Sequence, residues 1–276
     1  MPPAEAPAWI CRTCGVQYGP SPAPPQACPV CSDERQYVPP EGQSWTHREA
    51  IAAEDQGYDI RELDAGLTGL RCLPQLGIGR VGYLVETGAG NVLWDCPSFV
   101  GEEIVAEVGA RGGLAAISAS HPHFYGAMVD WSEAFGGAPI LLPAADREWV
   151  QRADPRIHFW DRSAELVPGL TAVRCGGHFE GSSVLHWPAG AEGRGVLFTG
   201  DTIMVASDRR WVSFMRSYPN LVPLGAAAVH AIVESVGGLR FDRVYGNPGW
   251  EKVIAAGAGE VVSRSATRYL AAIGAL

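Results

Sequence analysis

The sequence predicts an α+β protein built from a large two-sheet domain and a small N-terminal metal-binding module. Two cysteine pairs near the N-terminus are spaced as metal ligands. From residue 57 onward, short apolar strands are followed by helices, and the same order of strands and then helices occurs a second time. This order favours two sheets that pack together with the helices outside. We therefore expect a module at residues 1–40, a linker at 41–56 and the large domain at 57–276.

Length and composition narrow the classes of function. The chain has 276 residues, enough for one large domain or one domain with a small appendage. A formal net charge of −9 argues against a nucleic-acid-binding surface, which would show a clustered basic face. No apolar run approaches about 20 residues, and the N-terminus lacks the basic and apolar regions of a signal peptide. We expect a cytoplasmic protein that acts on a small molecule and binds neither nucleic acid nor membrane, and both a monomer and an oligomer fit the sequence.

The N-terminal module carries the pattern Cys11-x2-Cys14, thirteen residues, Cys28-x2-Cys31. Each pair can bend into a tight turn that presents two thiolates, and two such turns close a tetrahedral site of four sulfur ligands. The segment between the pairs is rich in Gly and Pro and too polar to form a core, so the module needs its metal to fold. This use of the cysteines favours a reducing compartment over a disulfide framework. Residues 9–37 resemble the rubredoxin family and the wider zinc ribbons, which implies zinc, with iron as the alternative.

The large domain reads as short apolar strands punctuated by Gly and turn residues, with amphipathic helices between them. In its first half, strands are predicted at 69–73, 81–86, 91–95, 114–117 and 139–142, and helices at 99–110, 127–135 and 146–150. In its second half, strands are predicted at 170–175, 182–187, 195–199 and 241–245, and helices at 221–236 and 259–273.

Residues of metal-ligand type follow three of these strands. His121 and His123 come after the strand 114–117, at the carboxyl end where α/β sheets keep their sites. In an extended segment the side chains at i and i+2 point to the same side, so these two imidazoles can converge on one ion. His178 lies in a Gly-rich turn after the strand 170–175, and Asp201 follows the strand 195–199.

The order of these motifs resembles the metallo-β-lactamase superfamily over about residues 57–276. The matching motifs are His121-Pro122-His123, then Gly177-His178, and then Gly200-Asp201. The resemblance implies an αββα sandwich with a metal site at one edge of its two sheets. It also implies that His121, His123 and His178 form the three-histidine metal site and that Asp201 is the carboxylate that bridges two metals.

The sequence departs from the family pattern at the second metal. The family motif is His-x-His-x-Asp-His, and its last two positions are Tyr125 and Gly126 here. The final histidine of the family would fall near residues 245–249, where the sequence has no His. The second metal site has therefore lost its own ligands, and we expect one metal ion in the large domain.

The first interpretation is a mononuclear zinc hydrolase, with a second zinc in the N-terminal module. Three imidazoles and an open position form a zinc site of the kind that lowers the pKa of a bound water to about 7. Asp201 either ligates the metal directly or takes the proton of the water as general base. Tyr125 stands where the family has Asp, and it either hydrogen-bonds a substrate oxygen or only packs.

Two alternatives belong to other classes. His121, His178 and Asp201 also satisfy an iron site of two histidines and one carboxylate, as in the persulfide dioxygenases of the superfamily, which would make the protein an iron oxidoreductase. The other alternative is a degenerate fold kept for binding.

Arg209 and Arg210 could clamp an anionic substrate, although a solvated loop pair is the simpler interpretation. The substrate itself cannot be read from the fold, which hosts several chemistries.

Overall fold

The N-terminal ribbon is a three-stranded sheet with two short helices. The computed structural model describes residues 6–246 and 249–276. The ribbon elements in chain order are β1 (Ala8–Cys11), β2 (Gln17–Pro20), α1 (Pro29–Ser32), β3 (Trp45–Thr46) and α2 (Arg48–Ala52). The strand order is β2-β1-β3, with β1 antiparallel to both neighbours. Strand β3 falls in the expected linker and pairs with the ribbon, and the domain boundary at residue 40 stays a prediction.

The first sheet of the large domain has seven strands in the order β10-β9-β8-β7-β6-β5-β4. Its elements are β4 (Gly57–Asp64), β5 (Leu67–Leu73), β6 (Val81–Val85), β7 (Val92–Trp94), α3 (Glu102–Ala110), β8 (Ala116–Ser118), a 3-10 helix (Pro122–Phe124), α4 (Met128–Ala134), β9 (Ile140–Pro143), a second 3-10 helix (Ala144–Trp149) and β10 (Ile157–Trp160). Strands β4 to β7 are antiparallel and β7 to β10 are parallel. Parallel neighbours need crossover connections, and α3, α4 and the second 3-10 helix lie in the three connections.

The second sheet has six strands in the order β11-β12-β13-β14-β19-β20. The chain runs through β11 (Ser163–Val167), β12 (Leu170–Arg174), β13 (Ser183–Trp187), α5 (Gly190–Gly193), β14 (Val196–Phe198), β15 (Met204–Val205), β16 (Val212–Ser213), β17 (Met215–Ser217), β18 (Val222–Pro223), α6 (Ala226–Gly237), β19 (Arg243–Tyr245), β20 (Val253–Ile254) and α7 (Ala258–Ala272). Strands β15 to β18 form two separate two-stranded sheets. No helix in the described ranges is long and apolar enough to cross a membrane.

Three apolar clusters define four layers in the order helix, sheet, sheet, helix. The cluster between the sheets joins Tyr83 and Trp94 of the first sheet to Leu185 and Phe198 of the second. The outer face of the first sheet packs against α3 and α4, and that of the second packs against α6 and α7. Each sheet thus removes both apolar faces from water, which is the main force holding the layers together. The two-sheet architecture predicted from the order of strands and helices is confirmed.

The predicted elements differ from the observed ones where the chain is irregular or lies at a sheet edge. The helix predicted from residue 221 begins at Ala226, because Val222–Pro223 pairs with β17 as β18 and Leu221 has a φ of 57°. The helix predicted at 146–150 is a 3-10 helix. Of the strands in the two large sheets, β4, β10, β11 and β20 were not predicted. All four are edge strands, which are short or carry polar residues, and both properties weaken the apolar signal of a strand.

The ribbon docks on the large domain through Gln17. The backbone N–H of Gln17 donates to the carbonyl oxygen of Gly126 at 3.1 Å, and its side-chain amide donates to Asp130 Oδ2 at 2.8 Å. Arg152 donates to Gln17 Oε1 at 2.6 Å and also pairs with Asp130. Since Gln17 is buried, water competes weakly for these hydrogen bonds and they orient the ribbon on the domain.

A second contact joins the first cysteine turn of the ribbon to Arg80. The Arg80 guanidinium donates to the carbonyl of Cys14, to Ser98 Oγ at 3.1 Å and to the carbonyl of Cys96 at 3.4 Å. Burial lowers the pKa of Arg80, so oriented oxygens are needed to stabilise its charge. An apolar cluster beside this contact contains Ile10 and Ile51 of the ribbon segment with Cys72, Leu76 and Phe99 of the large domain.

Gly126 permits the close approach of these segments, and its replacement should destabilise the protein. Gly126 has a φ of +52°, and a Cβ there would lie 2.0 Å from the Cys96 carbonyl oxygen. Gly136 is a matched control, since its φ is +70° and a Cβ there would meet no described atom within 4 Å. We expect Gly136→Ala to lower the free energy of unfolding by about 1 kcal/mol through backbone strain. Gly126→Ala should lower it by about 1–3 kcal/mol more through steric overlap. Chemical denaturation measures both values, and equal losses would contradict the packing around Gly126.

Candidate metal centres

The four ribbon cysteines converge on one point. Sγ of Cys11 lies 3.7 Å from Sγ of Cys31, and Sγ of Cys14 lies 3.7 Å from Sγ of Cys28. All four sulfur atoms lie within 4.8 Å of one another, and all four residues are buried. A tetrahedron with metal–sulfur bonds of about 2.3 Å has edges of about 3.8 Å. The cysteines therefore fit a tetrahedral thiolate site, as their spacing predicted.

The electrostatics of the cysteine cluster also point to a cation. The hydrogen bond from Cys14 lowers the pKa of the Cys11 thiol, whereas burial raises the pKa of Cys14. One thiolate is thus stabilised by its neighbours, but four adjacent buried thiolates repel one another. A divalent metal is the group that allows all four to ionise.

The two histidines after β8 do not lie in one extended segment. His121 is extended, with φ −171° and ψ 171°, but Pro122–Phe124 forms a 3-10 helix. The prediction that His121 and His123 converge through an extended i, i+2 arrangement was therefore wrong about the backbone. The turn still places the two rings close together, with centroids 5.1 Å apart.

His178 and Asp201 approach these histidines from the second sheet. His178 lies in the loop between β12 and β13, and Asp201 follows β14. Asp201 Oδ2 lies 3.4 Å from His121 Nε2 and 3.7 Å from His178 Nε2, and His178 Nε2 lies 3.4 Å from His123 Nδ1. A tetrahedron with metal–nitrogen bonds of about 2.0–2.1 Å has edges of about 3.3–3.4 Å. The structure thus brings together the four residues named from the sequence, at distances that suit one ion.

Unpaired imidazole nitrogens support the same fit. Nε2 of His121 is buried and has no hydrogen-bond partner among the described residues. Nδ1 of His121 lies 2.9 Å from Ser120 Oγ. Metal binding through Nε2 needs the ring proton on Nδ1, and the Ser120 hydroxyl is placed to accept that proton's hydrogen bond. The backbone N–H of Ser120 donates to Asp95 Oδ1 at 2.7 Å, which positions Ser120. Such partners orient metal-ligating histidines.

Ser120 and Asp95 are supporting residues that the sequence analysis missed. Asp95 follows β7, which runs parallel to β8, so its position at the same edge of the sheet was the available signal. Gly200 supports the same contact. A Cβ on Gly200 would lie 2.3 Å from Ser120 Oγ, so only glycine lets the Asp201 loop approach this closely.

Burial keeps the imidazoles of His123 and His178 neutral. Burial, and then the nearby positive charge of a protonated His121, lower the pKa of His178 to about 3, with Asp201 opposing the shift. Burial also holds the pKa of His123 well below its usual value. A lowered histidine pKa favours the neutral form, which is the form that binds metal. At neutral pH these nitrogens are therefore available as ligands.

Other predicted or candidate residues lie elsewhere. Tyr125 is buried in the cluster beneath α3 and α4, and its hydroxyl has no hydrogen-bond partner in the described part of the chain. His186 Nε2 lies 3.0 Å from the carbonyl of Arg240, and His158 and His230 are exposed on β10 and α6. Residues 247 and 248, where the last histidine of the family is expected, lie outside the described residues.

Solved structures share the fold of this chain. Metallo-β-lactamase SMB-1, in a complex with mercaptoacetic acid, is 17% identical, with 78% of this chain and 95% of that chain covered and a TM-score of 0.53. The DIM-1 metallo-β-lactamase is 14% identical, with 76% and 97% covered and a TM-score of 0.55. No protein-family model matches the sequence. The chain has the metallo-β-lactamase fold with a ribbon of four clustered cysteines, as the sequence motifs predicted.

A curated relative covers nearly the whole chain. The uncharacterized protein YmaE of Bacillus subtilis (strain 168) is 44% identical over 269 residues, which are 97% of each protein. This chain therefore belongs to the same family as YmaE. The matched length is too long to leave out the ribbon or the sandwich, so the likeness covers both parts of this chain.

The hydrogen bond between Ser120 and His121 should control metal affinity at the histidine site. Ser120→Ala removes the acceptor for His121 Nδ1–H, and losing such a partner weakens metal binding by roughly 10–100-fold. Ser118→Ala is the control, because Ser118 Oγ donates to the Leu141 carbonyl at 2.7 Å and not to a histidine. Competition titration with a metallochromic chelator measures the affinities. Equal affinities for the two variants would contradict the role of Ser120.

The two candidate metal centres should empty independently. Cys11→Ser leaves three thiolates, so the metal content should fall by about one ion per chain while the histidine site keeps its ion. Cys175→Ser is the control, since Cys175 is buried outside the cluster. Elemental analysis of the purified variants counts the ions. Loss of both metals from Cys11→Ser would show that the centres are not independent.

Proposed function

We propose that this protein is a mononuclear, metal-dependent hydrolase that uses zinc at the histidine site and acts on a small molecule. The observation that carries the proposal is the convergence of three imidazoles and one carboxylate, whose ligand atoms lie within 4.8 Å of one another, at the edge of the two sheets. The fold supports it, because SMB-1 and DIM-1 are metallo-β-lactamases with the same architecture. Zinc suits a site of imidazole and carboxylate ligands.

A cavity opens beside these ligands. It has a volume of ≈ 310 Å³, and His123 and Asp201 lie in its wall with Phe124, Ile78, Met204 and Tyr218. Pockets for drug-sized ligands range from about 300 to 1,000 Å³. The cavity is at the lower end of this range, which fits a small substrate.

We assign to Asp201 the role of general base, which accepts a proton from the water at the metal site. A divalent ion held by the histidines would act as a Lewis acid and lower the pKa of water to about 7. The Asp201 side chain is 16% exposed and its Oδ2 faces the histidine nitrogens, so this oxygen can accept a proton from water held there. Tyr218 donates from its hydroxyl to the Asp201 carbonyl at 2.8 Å, which holds the Asp201 turn in place.

The surroundings of Tyr125 and Gly126 favour one ion rather than two. In the family pattern these positions carry an Asp and a His, and here they carry a phenol and a glycine whose carbonyl accepts the hydrogen bond of Gln17. Among the described residues, the groups of three or more ligand-type side chains are the ribbon cysteines and the histidine site. A second ion would thus have Asp201 as its shared ligand and little else from this segment.

An iron oxidoreductase is the second candidate. Asp201 Oδ2 lies close to both His121 and His178, which is the two-histidine, one-carboxylate set that non-haem iron uses. Elemental analysis of protein purified without chelator separates the two candidates. Iron at the histidine site, with oxygen consumption, would replace the hydrolase proposal.

The zinc-loaded protein should hydrolyse at least one member of a panel of chromogenic lactams, thioesters and phosphodiesters. Asp201→Asn should lower the turnover of that substrate by roughly 100-fold or more. The amide keeps the shape of the side chain but cannot accept the proton. Tyr125→Phe is the comparison, since a tyrosine that only packs can lose its hydroxyl without loss of turnover. A loss of about tenfold or more in Tyr125→Phe would instead support the hypothesis that Tyr125 hydrogen-bonds a substrate oxygen. Full activity of Asp201→Asn would show that Asp201 is not the base, and no turnover of any panel member by the unsubstituted protein would favour a binding protein.

Anomalous scattering above the zinc and iron edges should show one peak beside His178 and one among the ribbon cysteines. Three histidines hold one ion tightly, whereas an ion whose protein ligand is one shared carboxylate binds weakly. Two strong peaks within about 4 Å of each other beside His178 would contradict the mononuclear site, since that is the spacing of a two-metal centre.

A further inference from the structure

The ribbon contributes a wall of the cavity in the large domain. Arg35, Gln36 and Tyr37 follow the second cysteine pair, and they line the same cavity as His123 and Asp201. The ribbon is therefore part of the site that a substrate would enter, and not only a separate folding unit.

Two residues of the second half of the chain hold this ribbon segment in place. Asn220 donates through its side-chain amide to the carbonyls of Glu34 at 2.8 Å and of Gln36 at 3.0 Å. Arg216 pairs with Glu34 Oε1 at 2.6 Å. Backbone carbonyls on both sides of Arg35 are thus fixed, which limits where its side chain can reach.

The Arg35 side chain lies against the ring that supports the metal ligands. Its guanidinium carbon lies 4.3 Å from the ring centroid of Phe179 and 5.7 Å from that of Trp149. The Phe179 ring contacts all three imidazoles, with centroid distances of 5.0 Å to His123, 5.1 Å to His178 and 5.9 Å to His121. One aromatic ring therefore separates the positive charge of Arg35 from the metal site.

The two arginines of the cavity wall differ in the donors they have left. Arg80 is committed to three oxygens, those of Cys14, Cys96 and Ser98. The Arg35 guanidinium has one hydrogen-bond acceptor among the described residues, Asp33 Oδ1 at 3.0 Å. A guanidinium carries five N–H donors in a planar fork that matches carboxylate and phosphate groups. Of the two arginines in this wall, Arg35 is thus the one with more donors to offer a ligand.

We propose that the substrate carries an anionic group, a carboxylate or a phosphate, which binds Arg35 while the reactive part of the substrate lies at the histidine site. This inference rests on the proposed function, because it places the substrate in the same cavity. The charge of the metal-loaded site supports the proposal. Imidazoles bind metal in their neutral form, so a divalent ion and one aspartate leave a positive centre. Arg35 adds a second positive group in the wall of the same cavity.

Arg209 and Arg210 are the arginines that the sequence suggested for this role. Both are exposed, and neither lines the cavity. Arg210 is a matched control for Arg35, since its substitution removes a positive charge without touching the cavity wall.

Two thiols that bind metals test the proposal with cobalt(II) at the histidine site. Mercaptoacetate carries a carboxylate and 2-mercaptoethanol is neutral and of similar size, and sulfur-to-cobalt absorption reports the dissociation constant of each. Arg35→Gln should raise the dissociation constant of mercaptoacetate by about 10-fold or more, the value of a charged hydrogen bond. It should leave the dissociation constant of 2-mercaptoethanol unchanged, so the preference for mercaptoacetate falls by the same factor. Arg35→Lys should retain part of the preference, because it keeps the charge but not the fork. Arg210→Gln should behave as the unsubstituted protein.

The possible failures are distinguishable. If Arg35→Gln weakens both thiols equally, Arg35 only supports the wall, and the anion proposal is wrong. If no variant changes the preference, Arg35 does not contact the carboxylate and the proposal is wrong in the same way. If cobalt binds but neither thiol gives the absorption, the site has no open position, and the proposed hydrolase fails with it. If Arg35→Gln loses the preference as expected, competition by acetate and by inorganic phosphate shows which anionic group the site prefers.

Discussion

The packing of the two sheets face to face is the interaction on which the histidine site depends. His121 and His123 follow a strand of the first sheet, whereas His178 and Asp201 follow strands of the second. Neither sheet alone holds more than half of the ligand set. Apolar residues such as Trp94 and Phe198 between the sheets bring the two edges into register, and the distances of 3.4–3.7 Å between ligand atoms follow from that packing.

The ribbon docks on the segment in which the family pattern has ligands for a second metal. Where the family pattern has ligands for a second metal, this chain has Tyr125 in the core and Gly126 beneath the ribbon, with the Gly126 carbonyl bonded to Gln17. The same ribbon returns past its second cysteine pair to line the cavity with Arg35. The segment in which this chain lacks the ligand residues of the family pattern is thus the segment that contacts the ribbon.

Sequence patterns predicted the elements whose signal is local. Buried central strands such as Val81–Val85 and Ser183–Trp187 have continuous apolar runs, and the predicted bounds agree within one residue at each end. The edge strand Gly57–Asp64 was not predicted because charged residues interrupt its apolar pattern. Prediction of the turn at Pro122–Phe124 also failed, since a two-residue spacing between histidines fits an extended strand and a 3-10 turn equally well.

The sequence by itself determined the chemistry of the two centres, because ligand type and spacing are properties of residue order. The Cys-x2-Cys pairs, the two histidines around Pro122, His178 and Asp201 could all be named without coordinates. Only the tertiary structure decided the supports and the cavity. Ser120, Asp95 and Arg35 act through contacts with residues distant in sequence, such as Asp95 with Ser120 and Arg35 with Phe179. Contacts of this kind depend on how the layers pack, and no local pattern records them.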